Sequence, residues 1–181
     1  EEWAQAEGDD RGGLFIVIDG LLHTYYAPKG DRVMMLGFAK PGSVLGHATK
    51  YSGGPRLVTA VCTEPSIVLE VSEAALDRIA VDMPEVWRAI ADLTYSNLQS
   101  ALRLAVEFIS LRPKERIAAR LLAIAEPKQS NGPYSIKVSQ ELLAEMVGAT
   151  RKTVNQHLRS FEKKGLLKIG YGKIEICDPD G

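Results

Sequence analysis

Arg151, Lys152, Asn155, Gln156 and Arg159 gather two guanidinium groups, an ammonium and two carboxamides within a short stretch of chain. Guanidinium and ammonium groups only donate hydrogen bonds, whereas a carboxamide both donates and accepts. A surface of this kind suits polyanion contact and the edges of bases, not proton transfer or covalent chemistry. Residues for catalysis are missing by type and spacing. There is no nucleophile beside a base, no glycine loop built to cradle phosphate and no carboxylate pair with a reason to be paired. His23, His47, His157, Cys62 and Cys177 fall at no metal-ligand spacing, so neither a metal nor an enzyme is expected.

Those donors lie within Ser139–Lys164, which predicts two short helices and a tight turn. Leu142, Leu143, Met146 and Val147 recur at the three-to-four spacing of one buried helical face. Gly148 suits the left-handed position that ends a helix, and Thr150 suits the N-cap of the next. In the second helix Val154, Leu158 and Phe161 form the apolar stripe, with the donors on the other side. This is the pattern of a helix-turn-helix, whose second helix enters the major groove of DNA by its N-terminal residues. The alternative is two ordinary surface helices, because any amphipathic helix has a polar face.

Charge is distributed in a way that supports the first reading. Residues 1–111 hold nine basic against fifteen acidic side chains, and residues 112–181 hold thirteen against eight. The chain's net charge of −1 therefore joins an acidic part of −6 to a basic part of +5, and the basic part is the one to meet phosphate. With 181 residues, 45% hydrophobic and 25% charged, the chain is of ordinary globular composition. No apolar run reaches membrane-spanning length and two cysteines make no disulfide framework, so a cytoplasmic protein without membrane contact is expected.

Taken in order, residues 1–71 read as short strands broken by turns. The strands are expected over 14–19, 21–27, 32–39, 44–46, 56–63 and 66–72. The turns fall at Pro28-Lys29-Gly30-Asp31, Lys40-Pro41-Gly42-Ser43, Ser52-Gly53-Gly54-Pro55 and Glu64-Pro65. Such spacing predicts an antiparallel roll or sandwich. Residues 1–13 are polar with one strand-like start at Trp3, and a closed roll calls for more strand before them, so a further N-terminal segment is expected.

After Ser72 the period changes to that of helices. A short helix with Leu76, Ile79, Ala80 and Met83 on one face precedes a long one from Pro84 to Leu111. Along the long helix Ile90, Thr94, Asn97, Ala101, Leu104, Phe108 and Leu111 alternate four-and-three like a coiled-coil seam. The seam predicts a homodimer, with the interface at Ile90, Asn97, Ala101, Leu104 and Phe108. A second apolar side through Leu93, Leu98, Leu102, Ala105 and Ile109 is expected to pack on the roll. Pro113 breaks this helix and opens the next, whose stripe is Ile117, Leu121 and Ile124. A polar loop over 126–134 and a short strand over 135–138 lead into the helix-turn-helix. A hairpin over 166–177 with its tip at Tyr171-Gly172-Lys173 completes a winged helix.

In this order the parts resemble the Crp/Fnr family of bacterial transcription regulators, named for the cyclic-AMP receptor protein and the fumarate-nitrate regulator. The likeness is strongest over VSQELLAEMVGATRKTVNQHLRSFEKKGLL and is also clear at LFIVIDG, PGSVLG and GGPR. The resemblance implies an α+β chain in three parts. Residues 1–83 form an N-terminal antiparallel β-roll of cyclic-nucleotide-binding type, 84–111 a long dimerisation helix, and 112–181 a C-terminal winged helix-turn-helix. It also implies a homodimer that binds two-fold symmetric double-stranded DNA, with RNA polymerase as a further candidate partner.

Carried over, the resemblance makes Arg151 and Gln156 base readers, a guanidinium suiting guanine and an amide suiting adenine. Lys152 stands where the family commonly has a glutamate for cytosine, so a different half-site is expected. Ser139 and Gln140 would position phosphate at the start of the first helix. Thr150, Thr153, Arg159 and Lys163 are further backbone contacts, although Thr153 is equally readable as a plain helix residue. Asn155 completes the DNA-facing set.

In cyclic-nucleotide binders of the family, a Gly-Glu pair holds the ribose and an Arg-Ser/Thr-Ala run holds the phosphate. Here the corresponding residues are Gly46-His47 and Arg56-Leu57-Val58. Arg56 keeps its charge for an anion, but His47 and Leu57 remove two polar partners, each worth about 1–3 kcal/mol. Cyclic nucleotide binding is therefore not expected, and a different small effector or none is. The cysteines for an iron–sulfur cluster are not seen, and His47 and His23 are the sensor-side candidates for a haem ligand. Two readings follow: a DNA-binding regulator, or a sensor module that binds a cyclic nucleotide or other anion through Arg56 and docks protein through its winged helix.

Overall fold

The structure is a computed structural model describing residues 2–8, 12–27, 33–47, 53–125 and 134–180. The turn expected over 28–31, the loop over 126–133 and Ser52 lie outside the described residues. The chain divides into two compact units, Glu1–Leu102 and Arg103–Gly181.

The N-terminal unit is a two-sheet β structure. Its strands are β1 (Trp3–Gln5), β2 (Leu14–Asp19), β3 (Leu22–Tyr26), β4 (Met34–Ala39), β5 (Val44–Leu45), β6 (Thr59–Cys62) and β7 (Ile67–Val71). One sheet runs β1-β6-β3-β4 and the other β5-β2-β7, paired antiparallel throughout. In β2, Leu14 and Val17 are buried while Ile18 and Asp19 are exposed. Val17 meets Leu22, Ala39 and Ala60 of the facing sheet in one apolar cluster, the expected result of apolar side chains turned to one face of each strand. The expected strand over 56–63 is shorter, running from Thr59 to Cys62.

Two helices follow. In α1 (Glu73–Asp82) the Ser72 hydroxyl oxygen accepts from the Ala75 N–H at 3.2 Å, the cap that its sequence predicts. Leu76 of α1 packs with Leu14 and with Ile90 of α2 (Val86–Ser110). Two residues of the expected interface, Ile90 and Asn97, are engaged within this unit. Ile90 is 5% exposed inside its own unit. Asn97 turns its amide to His47, Nδ2 to Nε2 at 3.3 Å, and the Thr94 hydroxyl bonds the Ile90 carbonyl. Leu104 and Phe108 are half-buried and Ala101 is exposed. Of the side expected to pack on the roll, Leu98, Leu102 and Ile109 are exposed instead, and with Tyr95 and Val106 they make an apolar row 53–85% exposed. Both sides of α2 are apolar, and periodicity alone holds nothing that assigns one to its own core, which is why the side expected on the roll is found exposed.

The C-terminal unit holds the last turns of α2 from Arg103, then α3 (Pro113–Ile124), β8 (Tyr134–Ile136), α4 (Gln140–Val147), α5 (Arg151–Lys163), β9 (Leu167–Gly170) and β10 (Lys173–Ile176). Pro113 is tolerated at the first position of α3, where its missing N–H costs nothing. Arg112 before it is extended, and its backbone N–H and side chain both bond the Glu115 carboxylate. That hydrogen bonding holds the Glu115 carboxyl below the usual carboxylate range. Arg116 donates to the Leu111 and Phe108 carbonyls at the end of α2, and Arg120 pairs with Glu107 at 2.9 Å, both largely buried. The wing is a three-stranded sheet, β8-β10-β9, not a bare hairpin. Ile136 lies opposite Ile174 and brings β8 onto the core of Ile117, Leu121, Leu143, Val147, Val154 and Leu158.

Candidate nucleic-acid interface

The two helices are fixed at both junctions. The Ser139 hydroxyl oxygen accepts from the Leu142 N–H at 3.1 Å and caps α4. Gly148 ends α4 at φ 61° and ψ 40°, in the left-handed region that glycine enters without a Cβ penalty. The Ala149 N–H then returns to the Ala144 carbonyl, satisfying a helix-end acceptor. Thr150 caps α5 by accepting from the Thr153 N–H at 3.1 Å, and the two threonine hydroxyls lie 2.9 Å apart.

Val154, Leu158 and Phe161 anchor α5 in the core. Its opposite side is an exposed donor surface of Arg151, Lys152, Gln156, Arg159 and Lys163. No carboxylate sits in the first turn of α5, so the positive partial charge of the helix start adds to the field of Arg151 and Lys152. Thr153 and Asn155 are half-buried on its flanks. Asn155 is not a fully presented side chain: its Nδ2 donates to Gln140 Oε1 at 2.7 Å, joining α5 to the first residue of α4. Sequence reasoning placed both residues at the interface and missed their bond, since nothing in either helix's periodicity signals an amide–amide pair.

His157 is also half-buried, on the flank of α5 where a cleft is lined by Arg112, Lys114 and Lys164. At the wing, Tyr171 is fully exposed at the tip, with Lys168 and Lys173 exposed on the strands beside it.

The expected effector residues belong to the other unit. Arg56 is 2% exposed. It donates to Gln5 Oε1 at 2.8 Å and to the Gly13 carbonyl at 3.3 Å, and its guanidinium stacks 4.7 Å from the centre of the Phe15 ring. Gln5 in turn donates to the Val58 carbonyl at 2.7 Å. Gly46 has φ 79°, and a Cβ there would overlap the Arg56 guanidinium. Gly46, His47, Arg56 and the Val58 backbone are thus part of a connected interior, whereas Leu57 is 67% exposed. His47 is buried, and desolvation pushes its pKa below the ordinary 6.5 against the opposing effect of the Val44 backbone. Its Nδ1 has no hydrogen-bond partner among the described residues. Among the described residues no group of three or more His, Cys, Asp or Glu is placed to hold a metal, and no helix is long and apolar enough to cross a membrane.

Comparison with known proteins finds two family matches that together take in most of the chain. Residues 5–82 match the cyclic nucleotide-binding domain, and residues 115–181 match the Crp-like helix-turn-helix domain. The CRP-like cAMP-activated global transcriptional regulator of Mycobacterium tuberculosis is 26% identical over 184 residues, covering 97% of this chain and 80% of that protein. The transcriptional regulator SdrP of Thermus thermophilus is also 26% identical, covering 94% and 82%. Among solved structures, FixK2 from Bradyrhizobium japonicum shares the fold with a TM-score of 0.83 at 22% identity, covering 99% of this chain and 89% of its own. A CRP/FNR-family regulator from Thermus thermophilus gives 0.80 at 24% identity, covering 99% and 91%.

Proposed function

Given that the chain belongs to the Crp/Fnr family of transcription regulators and carries its helix-turn-helix DNA-binding domain, we propose that it works as a homodimer on a two-fold symmetric DNA site. The carrying observation is the donor surface of α5, held by a buried stripe beneath it and capped at its start. Arg151 reads guanine through O6 and N7, Gln156 reads adenine, and Lys152, lacking an acceptor, gives no preference for cytosine. Ser139, Gln140, Thr150, Thr153, Arg159 and Lys163 hold the sugar–phosphate backbone.

The dimer forms along the exposed row Tyr95, Leu98, Leu102, Val106 and Ile109, whose three-to-four spacing suits a two-stranded coiled coil. An unpartnered apolar row of this length is costly to leave in water. The expected seam of Ile90 and Asn97 is unsuited, because one is in the core and the other is bonded to His47.

Cyclic AMP activates the mycobacterial relative, as its name states. For this chain the interior around Arg56 favours a regulator that works without a cyclic nucleotide, since Gln5, Gly13 and Phe15 already occupy the guanidinium. The reading as an anion sensor through Arg56 would require those bonds to be given up. RNA polymerase is the natural protein partner, and the bacterial cytoplasm is the compartment in which a DNA-binding regulator acts.

Fluorescence-anisotropy titration of duplex DNA across a salt series tests the proposal. Affinity should fall steeply and log-linearly with salt, as counterions leave the phosphates. Added cyclic AMP should leave the curves superimposed. Binding that needs cyclic AMP would refute the effector part, and no DNA binding at low salt would refute the whole.

A further inference from the structure

We propose that Asn155 is a positioning residue that aims Gln140 at DNA phosphate, and that it reads no base itself. The inference rests on the DNA-binding reading of α5. A carboxamide recognises adenine through two bonds at once, donating to N7 and accepting from N6. Asn155 lies on the flank of α5, half-buried, and directs its amide nitrogen across to α4, to Gln140 Oε1 at 2.7 Å. Gln156, the neighbouring carboxamide, is exposed with the charged donors and keeps both functions for a base.

The bond changes what Gln140 can offer. Asn155 engages its oxygen and fixes the orientation of the amide, which leaves the Nε2 group as the donor with both hydrogens to give. Gln140 is also the first residue of α4, following the Ser139 cap, where the helix end favours negative charge. A donor held in that place matches a phosphate oxygen and cannot make the paired donor–acceptor contact that adenine offers. Left unpaired, the Gln140 amide would rotate freely and present oxygen to phosphate as readily as nitrogen. Asn155 removes that wrong orientation and ties the aim of α4 to the placement of α5 by one direct bond.

A double-mutant cycle on DNA affinity tests this. Asn155→Ala, Gln140→Ala and the double variant are titrated against the preferred duplex and against duplexes changed at each base pair of one half-site. Asn155→Ala and Gln140→Ala should each weaken binding by about 3- to 10-fold, the range of one or two modest hydrogen bonds. The double variant should be no weaker than Gln140→Ala alone. The base preference of Asn155→Ala should match the parent at every position. Asn155→Ser, which keeps a donor, should recover part of the affinity, and melting temperatures establish that each variant is folded. Additive losses, or relaxed preference at one base pair in Asn155→Ala, would overturn the inference and make Asn155 a reader; so would unchanged affinity in Asn155→Ala. Arg151→Ala is the separate control: it should relax preference at one base pair. If it does not, the reading role of α5 fails, whatever the cycle shows.

Discussion

At the scale of single residues, His47 carries a chemical consequence that its neighbours set. It is buried, Asn97 lies against Nε2, and Nδ1 is unpartnered among the described residues. The neutral ring is the form this interior accepts, and burial accordingly depresses the pKa below 6.5. In the unfolded chain the ring takes a proton near its ordinary value. Below that pH the unfolded state binds the proton that the folded state refuses, so stability is complete above 6.5 and declines as pH falls beneath it. Thermal melting from about pH 8 to about pH 5 should show this decline, and His47→Gln should flatten it. An equal slope in the variant would assign the pH dependence elsewhere. Gly148 is the second residue with a sharp consequence. Its φ is 61°, and an added Cβ would come within 3.0 Å of the Phe108 ring. Gly148→Ala should cost about 1–2 kcal/mol from backbone strain, read as a lower urea midpoint. A neutral result would show that the turn opens without penalty.

At the scale of elements, the proposed assembly turns on α2. Leu98→Glu and Leu102→Glu place charge on the exposed row and should give a folded monomer in analytical ultracentrifugation. Ile90→Glu places charge in the core of the N-terminal unit and should unfold it. A dimer that survives both exposed substitutions would remove α2 as the seam. The helix also shows where sequence is a good guide and where it is not. The α4–α5 turn was legible because each of its signals is local: the apolar spacing, a glycine for the left-handed position, and a threonine that caps within three residues. The strand positions in the roll were legible for the same reason, with apolar runs cut by glycine and proline. The two faces of α2 were not, because Leu104 and Leu102 are equal in sequence and differ only in what packs on them. Arg56 illustrates a third case. Its presence was plain, but its partners Gln5 and Gly13 stand over forty residues away, beyond any local pattern. The third wing strand, Tyr134–Ile136, carries no local sign of its place in the wing, because its partner β10 follows only after α4 and α5.

At the scale of the whole molecule, the chain joins an acidic β unit to a basic winged-helix unit, and the long helix passes from one into the other. The acidic side is repelled by DNA phosphate and the basic side is drawn to it, so nonspecific contact is biased toward the surface that reads. Two copies joined along α2 would each bring one reading helix, and a two-fold protein calls for a two-fold site. Affinity for one half-site alone should then be far below affinity for the paired site, since the second contact is made within an assembled complex. The most direct measurement is selection from a random duplex pool by the purified protein without added ligand, at roughly physiological salt. The account predicts an inverted repeat with half-site centres about one helical turn apart, with guanine specified opposite Arg151 and no cytosine preference from Lys152. Enrichment of a single unrepeated half-site, or of no sequence at all, would contradict it.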